Sequence, residues 1–309
     1  MAYRVGLGPW QKVKIESIMT NPVETWWTAR PMTYGTEHGT TQYQTGGGKE
    51  EDFAQGSTEF FRQIDKTINE WNRPLHDETG PFGRVFDYAK YANRPILEVG
   101  CGMGTLASYW AQRGAVITAV DLTRKAVEQT ARRFALQSLR GTVKQEDGRR
   151  LSFNDASFDY AYSWGVLHHS PDLEKSLREL LRVIKPGGGF GLMLYNRGSL
   201  YQWYRIQYVE GLLHCESEHL DPLALAGRYT DGWDTEGNRH TWPVTQEEVH
   251  KMLQPFARRL SIKVLGTELD NLLPRMIPLP HLLRWMPTLA IKACARRFGW
   301  SLWIEGEKA

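Results

Sequence analysis

Cysteine is scarce in this chain. Three in 309 residues, Cys101, Cys215 and Cys294, stand far apart and are odd in number. A disulfide framework is not expected, and a reducing, cytoplasmic compartment is. Strong charge of either sign is also missing. The net charge of +3 is too small for the basic field that nucleic-acid binding needs, so no nucleic-acid partner is expected. No apolar run is long enough to span a bilayer. The opening MAYRVGLGPWQKVKI lacks the apolar core of a signal peptide. Internal repeats are absent. Tryptophan, by contrast, is abundant, with twelve residues, and large aromatics outside a core line pockets or interfaces.

The middle of the chain alternates strand-like and helix-like segments. PILEVG (95–100), VITAVD (116–121), GTVKQED (141–147), FDYAYSWG (158–165) and GFGLMLYN (189–196) read as strands. Residues 103–113 read as a helix stopped by Gly114. Residues 123–138 read as a second, with Val127, Ala131 and Phe134 on one face. Ser170-Pro171 is the expected start of a third, which carries Leu173, Leu177, Leu180, Leu181 and Ile184 and which KPGGG (185–189) stops. This rhythm predicts an α/β, doubly wound, Rossmann-like sheet with helices on both faces. Residues 1–90 show no such alternation and are expected to form an N-terminal cap on a domain over 91–309. Two lid insertions are expected, an irregular one at 197–243 and a proline-broken one at 269–298. Between them, Thr245-x-x-Glu248 is a capping box and RLSIKVLG (259–266) alternates like a strand; SLWIEGEK (301–308) closes the chain as a last strand. TGGGKEED (45–52) is not a P-loop, because the first glycine of that pattern is missing and acids follow Lys49.

LEVGCGMGT is the most informative segment. Gly100, Gly102 and Gly104 join a strand to a helix, where glycine permits a tight turn and close approach of a ligand. The third glycine of a dehydrogenase fingerprint is out of place, and Glu98 sits inside the strand. A pyrophosphate disfavours that acid; a ligand amino group favours it. Asp121 ends the second strand, where a carboxylate can take both ribose hydroxyls; Thr123 is the better helix cap. Asp147 ends the third, placed to accept from an adenine amino group, although Asp-Gly is also a common turn. Together these acids describe a ligand with an adenosine, a positive charge and no phosphate.

LEVGCGMGT, AVDLT, DGRRLSFNDASFDYAYSWGVLHHSPD and RVIKPGG resemble the class I S-adenosylmethionine-dependent methyltransferases, nearest to the bacterial small-molecule and ubiquinone/menaquinone-type branch. The resemblance covers residues 93–197. It implies a seven-stranded sheet whose last strand is antiparallel. It implies S-adenosylmethionine as methyl donor and S-adenosylhomocysteine as product. By resemblance, Gly100, Cys101, Gly102 and Gly104 approach the methionine moiety and Glu98 positions it. Asp121 takes the ribose with Leu122 adjoining, Asp147 and Gly148 lie at the adenine, and Ser163 and Trp164 lie beside the methionine. No metal is implied.

His168 and His169 then fall just beyond the fourth strand, near the sulfonium. A histidine there can act as base for a hydroxyl or carbon acid, His168 before His169. Equally, one may only hold the loop that starts the next helix. Tyr34 and Tyr195 are candidates to face the sulfonium through cation–π attraction, or simply to pack. Tyr229 in GRYTDG is read as part of a lid. LHCESEHLD (213–221) offers metal-ligand types, but His214 and His219 do not share a helical face, and a polar helix is preferred. Trp26, Trp27, Tyr34, Tyr201, Trp203, Tyr204, Tyr208 and Trp285 suggest a closed, apolar acceptor pocket for a small-molecule or lipid-linked substrate. Residues 274–297 hold five basic residues among apolar ones and no acid. A core-facing helix or homodimer contact is preferred there; peripheral membrane docking is the alternative. Two other classes stay open: a nicotinamide-dependent oxidoreductase and a non-catalytic cofactor-binding partner subunit.

Overall fold

The computed structural model describes residues 21–32, 54–231, 238, 240–266 and 288–309. Tyr34, Trp285, the 45–52 loop and residues 274–287 lie outside them. The N-terminal part holds α1 (Pro22–Ala29), capped by the Asn21 side chain, and α2 (Thr58–Trp71), capped by Ser57. Helix α2 buries Phe60, Phe61, Ile64 and Ile68 along one stripe. The alternating part follows as β1 (Pro95–Val99), α3 (Thr105–Gln112), β2 (Val116–Asp121), α4 (Arg124–Leu136), β3 (Thr142–Gln145), β4 (Phe158–Trp164), α5 (Leu173–Val183) and β5 (Ile184–Tyr195). A π-helix (Tyr201–Leu213) and α6 (Pro222–Thr230) come next. The chain closes with α7 (Gln246–Leu253), β6 (Ala257–Leu265), α8 (Thr288–Phe298) and β7 (Ser301–Lys308).

The seven strands form one sheet in the order β3-β2-β1-β4-β5-β7-β6. β1 to β5 pair in parallel, and β7 runs antiparallel to both β5 and β6. The order reverses beside β1, which leaves a crevice at the carboxyl ends of β1 and β4, where such sheets bind ligands. The central strands alternate between two cores. Leu97, Val99, Ala161, Leu192 and Leu194 meet α5 and α7 on one face. Ile96, Tyr160, Tyr162 and Trp303 meet α2, α3, Phe82 and Phe86 on the other. Both faces are apolar because both are covered. Glu98 alternates onto the aromatic face, in register with Tyr162.

Several expectations need correction. The 197–243 stretch is helical, not irregular, in its described part: Asp221 caps α6 by accepting from Leu223 and Ala224, and Pro222 takes the first helical position. Ser170-Pro171 does not begin α5; Asp172 is its cap, with Ser170 Oγ accepting from the Asp172 N–H. KPGGG lies within β5, where pairing slips between Phe158–Ile184 and Tyr160–Gly189, so Ile184 belongs to the strand. The buried face of α4 is Ala126, Thr130, Arg133 and Phe134, while Ala131 is exposed. Arg133 is fully buried there because Asp65 of α2 pairs with it at 2.8 Å and the Phe61 carbonyl accepts from it at 3.1 Å. The capping box at Thr245 and Glu248 forms both of its bonds. Among the described residues no helix is long and apolar enough to cross a membrane, and no cluster of three metal-ligating side chains occurs.

Candidate active site

The cofactor half grows from the turn between β1 and α3. Gly100 and Gly102 both take positive φ, 87° and 52°. Their surroundings differ. A Cβ on Gly100 would lie 2.3 Å from Val166 Cγ2, whereas one on Gly102 would meet nothing within 4 Å. Gly102 therefore faces open space. Gly102→Ala should cost about 1 kcal/mol in stability yet weaken cofactor binding at least tenfold, because its methyl occupies the approach path. Gly100→Ala should instead fail to fold stably. Thermal unfolding and calorimetric titration of both variants check this contrast.

Asp121 holds the turn in place. Its Oδ2 accepts from the Gly102 N–H at 3.0 Å, and its Oδ1 accepts from the Thr123 N–H and hydroxyl at 2.9 and 3.0 Å. Thr123 caps α4. Burial raises the Asp121 carboxyl above its ordinary range, with the Thr123 and Gly102 bonds opposing. A carboxylate has about four lone-pair positions, so capacity is left for a ribose hydroxyl. Leu122 is half-buried, and its carbonyl accepts from Gln145 Nε2 at 2.9 Å.

Glu98 is 2% exposed, and its Oε2 has no hydrogen-bond partner. Burial pushes its carboxyl up to about 8; the Tyr162 hydroxyl opposes and the Asp121 charge adds. An orphaned buried acid is costly. A ligand ammonium at this position would pair it. With the open face of Gly102 and the anchored Asp121, these residues fit an amino-acid-bearing nucleoside such as S-adenosylmethionine.

The other expected cofactor residues are placed as follows. Cys101 is buried, accepts from Thr130 Oγ1 at 3.5 Å, and is held as a thiol by burial and by the Asp121 and Glu98 charges. Asp147 is engaged by Arg149 through the backbone N–H at 2.8 Å and the guanidinium at 2.6 to 3.1 Å. Burial alone would raise the Asp147 carboxyl, but Arg149 holds it below its usual range. An adenine amino group would have to share that carboxylate. Gly148 packs near Val99 and Leu167. Ser163 is fully buried and donates to the Val99 carbonyl at 2.8 Å, joining β4 to β1. The Trp164 ring packs edge-on to Phe82 at 5.0 Å and beside Trp303.

The second half lies beyond β4 and β5. His168 is 0% exposed and packs against Tyr195 with ring centroids 3.8 Å apart and planes tilted by 34°. Neither of its ring nitrogens has a hydrogen-bond partner. Burial and the neighbouring His169 hold it well below the ordinary histidine range, so it is neutral at pH 7. His169 has company: Nδ1 lies 3.0 Å from the His240 carbonyl, 3.0 Å from Asn238 Nδ2 and 3.3 Å from Thr241 Oγ1. Its Nε2 lies 3.4 Å from Asp231 Oδ2. Tyr195 donates its hydroxyl to Asp231 Oδ1 at 2.8 Å and packs on Trp300 at 4.6 Å. Trp27 of α1 sits edge-on to His169 at 5.1 Å. The same helix reaches β3, where Glu24 accepts from Gln145 Nε2 at 3.2 Å. So α1 crosses the crevice from the Asp121 side to the His169 side. Tyr229 points elsewhere, its hydroxyl donating to Glu216. His214 pairs with Glu210 at 2.8 Å.

Sequence reasoning missed Asp231, Asn238, Thr241 and Trp300. Asp231 was visible only as the acid of RYTDG, with nothing local to tie it to a histidine 62 positions earlier.

Known proteins agree with the cofactor half. A family model described as a methyltransferase domain matches residues 96–188. The ubiquinone biosynthesis O-methyltransferase of Paracidovorax citrulli is 32% identical over 166 residues, 50% of this chain and 69% of that protein. The malonyl-[acyl-carrier protein] O-methyltransferase of Pseudescherichia vulneris is 33% identical over 120 residues, 38% of this chain; the match spans 46% of that relative's length. A chain from the solved complex of the Haloferax volcanii Trm112 methyltransferase activator with a methyltransferase shares the fold, with a TM-score of 0.50 and 16% identity over 79% of this chain and 93% of that one. With the Paracidovorax citrulli relative covered to 69% of its length at 32% identity, the chain belongs to the class I S-adenosylmethionine-dependent methyltransferases.

Proposed function

We propose that this chain transfers a methyl group from S-adenosylmethionine to a hydroxyl oxygen of a small, neutral acceptor. The observation that supports the acceptor reading is His168, whose two buried nitrogens lack partners beside the Tyr195 ring, with Trp300 packed on Tyr195 and Trp27 on the adjoining His169. The relatives named for ubiquinone and malonyl-carrier methylation are O-methyltransferases, which supports oxygen as the atom methylated.

Bound S-adenosylmethionine supplies an electrophilic sulfonium methyl. The residues of the chain do the rest. Glu98 and the Gly102 turn hold the amino-acid end; Asp121 holds the ribose. His168 would accept the acceptor's hydroxyl proton as that oxygen takes the methyl group, and would itself become the imidazolium. The helix α1 and the aromatic walls exclude water.

Methyl-labelled S-adenosylmethionine incubated with the protein and a fractionated bacterial extract tests this. Label should enter a small-molecule fraction and survive mild alkali, as an ether does. His168→Gln should slow transfer about 100-fold with donor affinity within threefold. Alkali-labile label would mean a carboxylate acceptor, and undiminished transfer by His168→Gln would remove the base.

A further inference from the structure

Asp231 lies at the carboxyl end of α6, in the insertion outside the matched residues 96–188. Its side chain is 1% exposed. A buried carboxylate requires donors. One is Tyr195, whose hydroxyl donates to Oδ1 at 2.8 Å. Oδ2 has no formed hydrogen bond, and the group it faces is His169 Nε2 at 3.4 Å, which is also without a formed bond. If Nε2 were bare, two lone pairs would oppose each other at 3.4 Å between side chains 4% and 1% exposed. If Nε2 carries the proton, each satisfies the other. Nδ1 accommodates this in either charge state. In the neutral ring it accepts from Asn238 Nδ2; in the imidazolium it donates to the His240 carbonyl. Long contacts of this kind tighten when a substrate complex closes.

We propose that Asp231 is the positioning residue of the acceptor site: it fixes the Nε2–H tautomer of His169 and the orientation of Tyr195, and so holds the His168 ring between them. This rests on the methyl-transfer reading above, and it assigns to the α6 lid the task of completing the acceptor side. The geometry matches the task. The His168 ring contacts Tyr195 at 3.8 Å on one side and His169 at 4.2 Å on another. Both of those neighbours face the same carboxylate, so one lid residue orders three aromatic rings. His169 is faced by His168 on its own turn, Tyr195 from β5, Asp231 from the lid, Asn238, the His240 carbonyl and Thr241 from the segment before α7, and uncharged Trp27 from α1. Tyr201 of the π-helix lies near enough to feel the Asp231 charge. Burial lowers the His169 pKa, and Asp231 and the His240 carbonyl oppose it. Removing the Asp231 charge must therefore move that titration downward.

The experiment is nitrogen-15 NMR of the full chain labelled at histidine, with S-adenosylhomocysteine added and the His169 signals assigned by their loss in His169→Gln. In the wild type His169 should carry its proton on Nε2 at pH 7. Asp231→Asn should lower its titration by about one unit, tenfold in proton affinity, and Asp231→Glu should restore at least half of that. Donor affinity should stay within threefold. A wild-type His169 protonated on Nδ1, or a folded Asp231→Asn chain whose His169 titrates as in the wild type, would overturn the proposal. Should Asp231→Asn lose its near-ultraviolet dichroism, Tyr195→Phe takes its place. It leaves the carboxylate to His169 alone, so the Nε2 proton should persist with a raised titration; its loss would overturn the proposal too. A wild type that binds no S-adenosylmethionine would contradict the methyl-transfer reading and leave the tautomer result standing.

Discussion

Asp121→Ala should weaken S-adenosylmethionine binding about a hundredfold or more. The direct loss is the ribose contact. The indirect loss is larger than a simple contact count suggests, because the same carboxylate holds the Gly102 N–H and the start of α4 through Thr123. A hydrogen bond to a charged group contributes about 1.5 to 3 kcal/mol, and each 1.4 kcal/mol is tenfold in affinity. One such bond to a ribose hydroxyl accounts for about ten- to a hundredfold. Freeing the Gly102 turn then adds an ordering cost at binding. Asp121→Asn should lie between, since the amide oxygen can still accept while its NH2 cannot. Calorimetric titration of the three proteins measures the order. Near-wild-type affinity for Asp121→Ala would remove Asp121 from the site.

The second large effect concerns pH. Burial pushes the Glu98 carboxyl up to about 8, against 4.5 for an ordinary glutamate. Folding thus favours the protonated form. The stability it contributes is fully present below about pH 4.5 and is lost as pH rises through about 8. A ligand ammonium favours the carboxylate instead. At pH 7 binding of S-adenosylmethionine should therefore expel close to one proton into the buffer, read as a binding enthalpy that depends on the buffer's ionisation enthalpy. Affinity should rise with pH between about 6 and 7.5, a window in which an α-amino group of ordinary pKa near 7.7–8.0 stays largely charged. Glu98→Gln should abolish both effects. It should also raise the melting temperature at pH 8 while lowering donor affinity, since a buried carboxylate is removed. Stability and binding moving in opposite directions is the signature of an acid retained for its ligand.

The legibility of the two halves of the site differed for a physical reason. Glu98, the glycine turn and Asp121 belong to one β-α-β unit, and parallel pairing of β1 with β2 brings residues about twenty apart to the same edge. Strand and turn patterns suffice to find such a site. The proposed acceptor half joins Trp27, His168, Tyr195 and Asp231 from four separate parts of the chain. No local pattern encodes that meeting. Asp147, expected at the end of the third strand, lies beyond β3 (Thr142–Gln145), and Arg149 two residues on engages it. Arg133 broke an apolar stripe that the α4 sequence led one to expect, because its partner Asp65 lies 68 residues earlier on α2. The strands, by contrast, were legible, since covered parallel strands and the closing SLWIEGEK announce themselves as short apolar runs, while the seven-stranded sheet with its antiparallel last strand was implied by the family resemblance.

The most direct test of the account is calorimetric titration of the full chain with S-adenosylmethionine and, in parallel, with a reduced nicotinamide dinucleotide. One equivalent of S-adenosylmethionine should bind, with proton release at pH 7, and the dinucleotide should not. Binding of the dinucleotide, with none of S-adenosylmethionine, would contradict it.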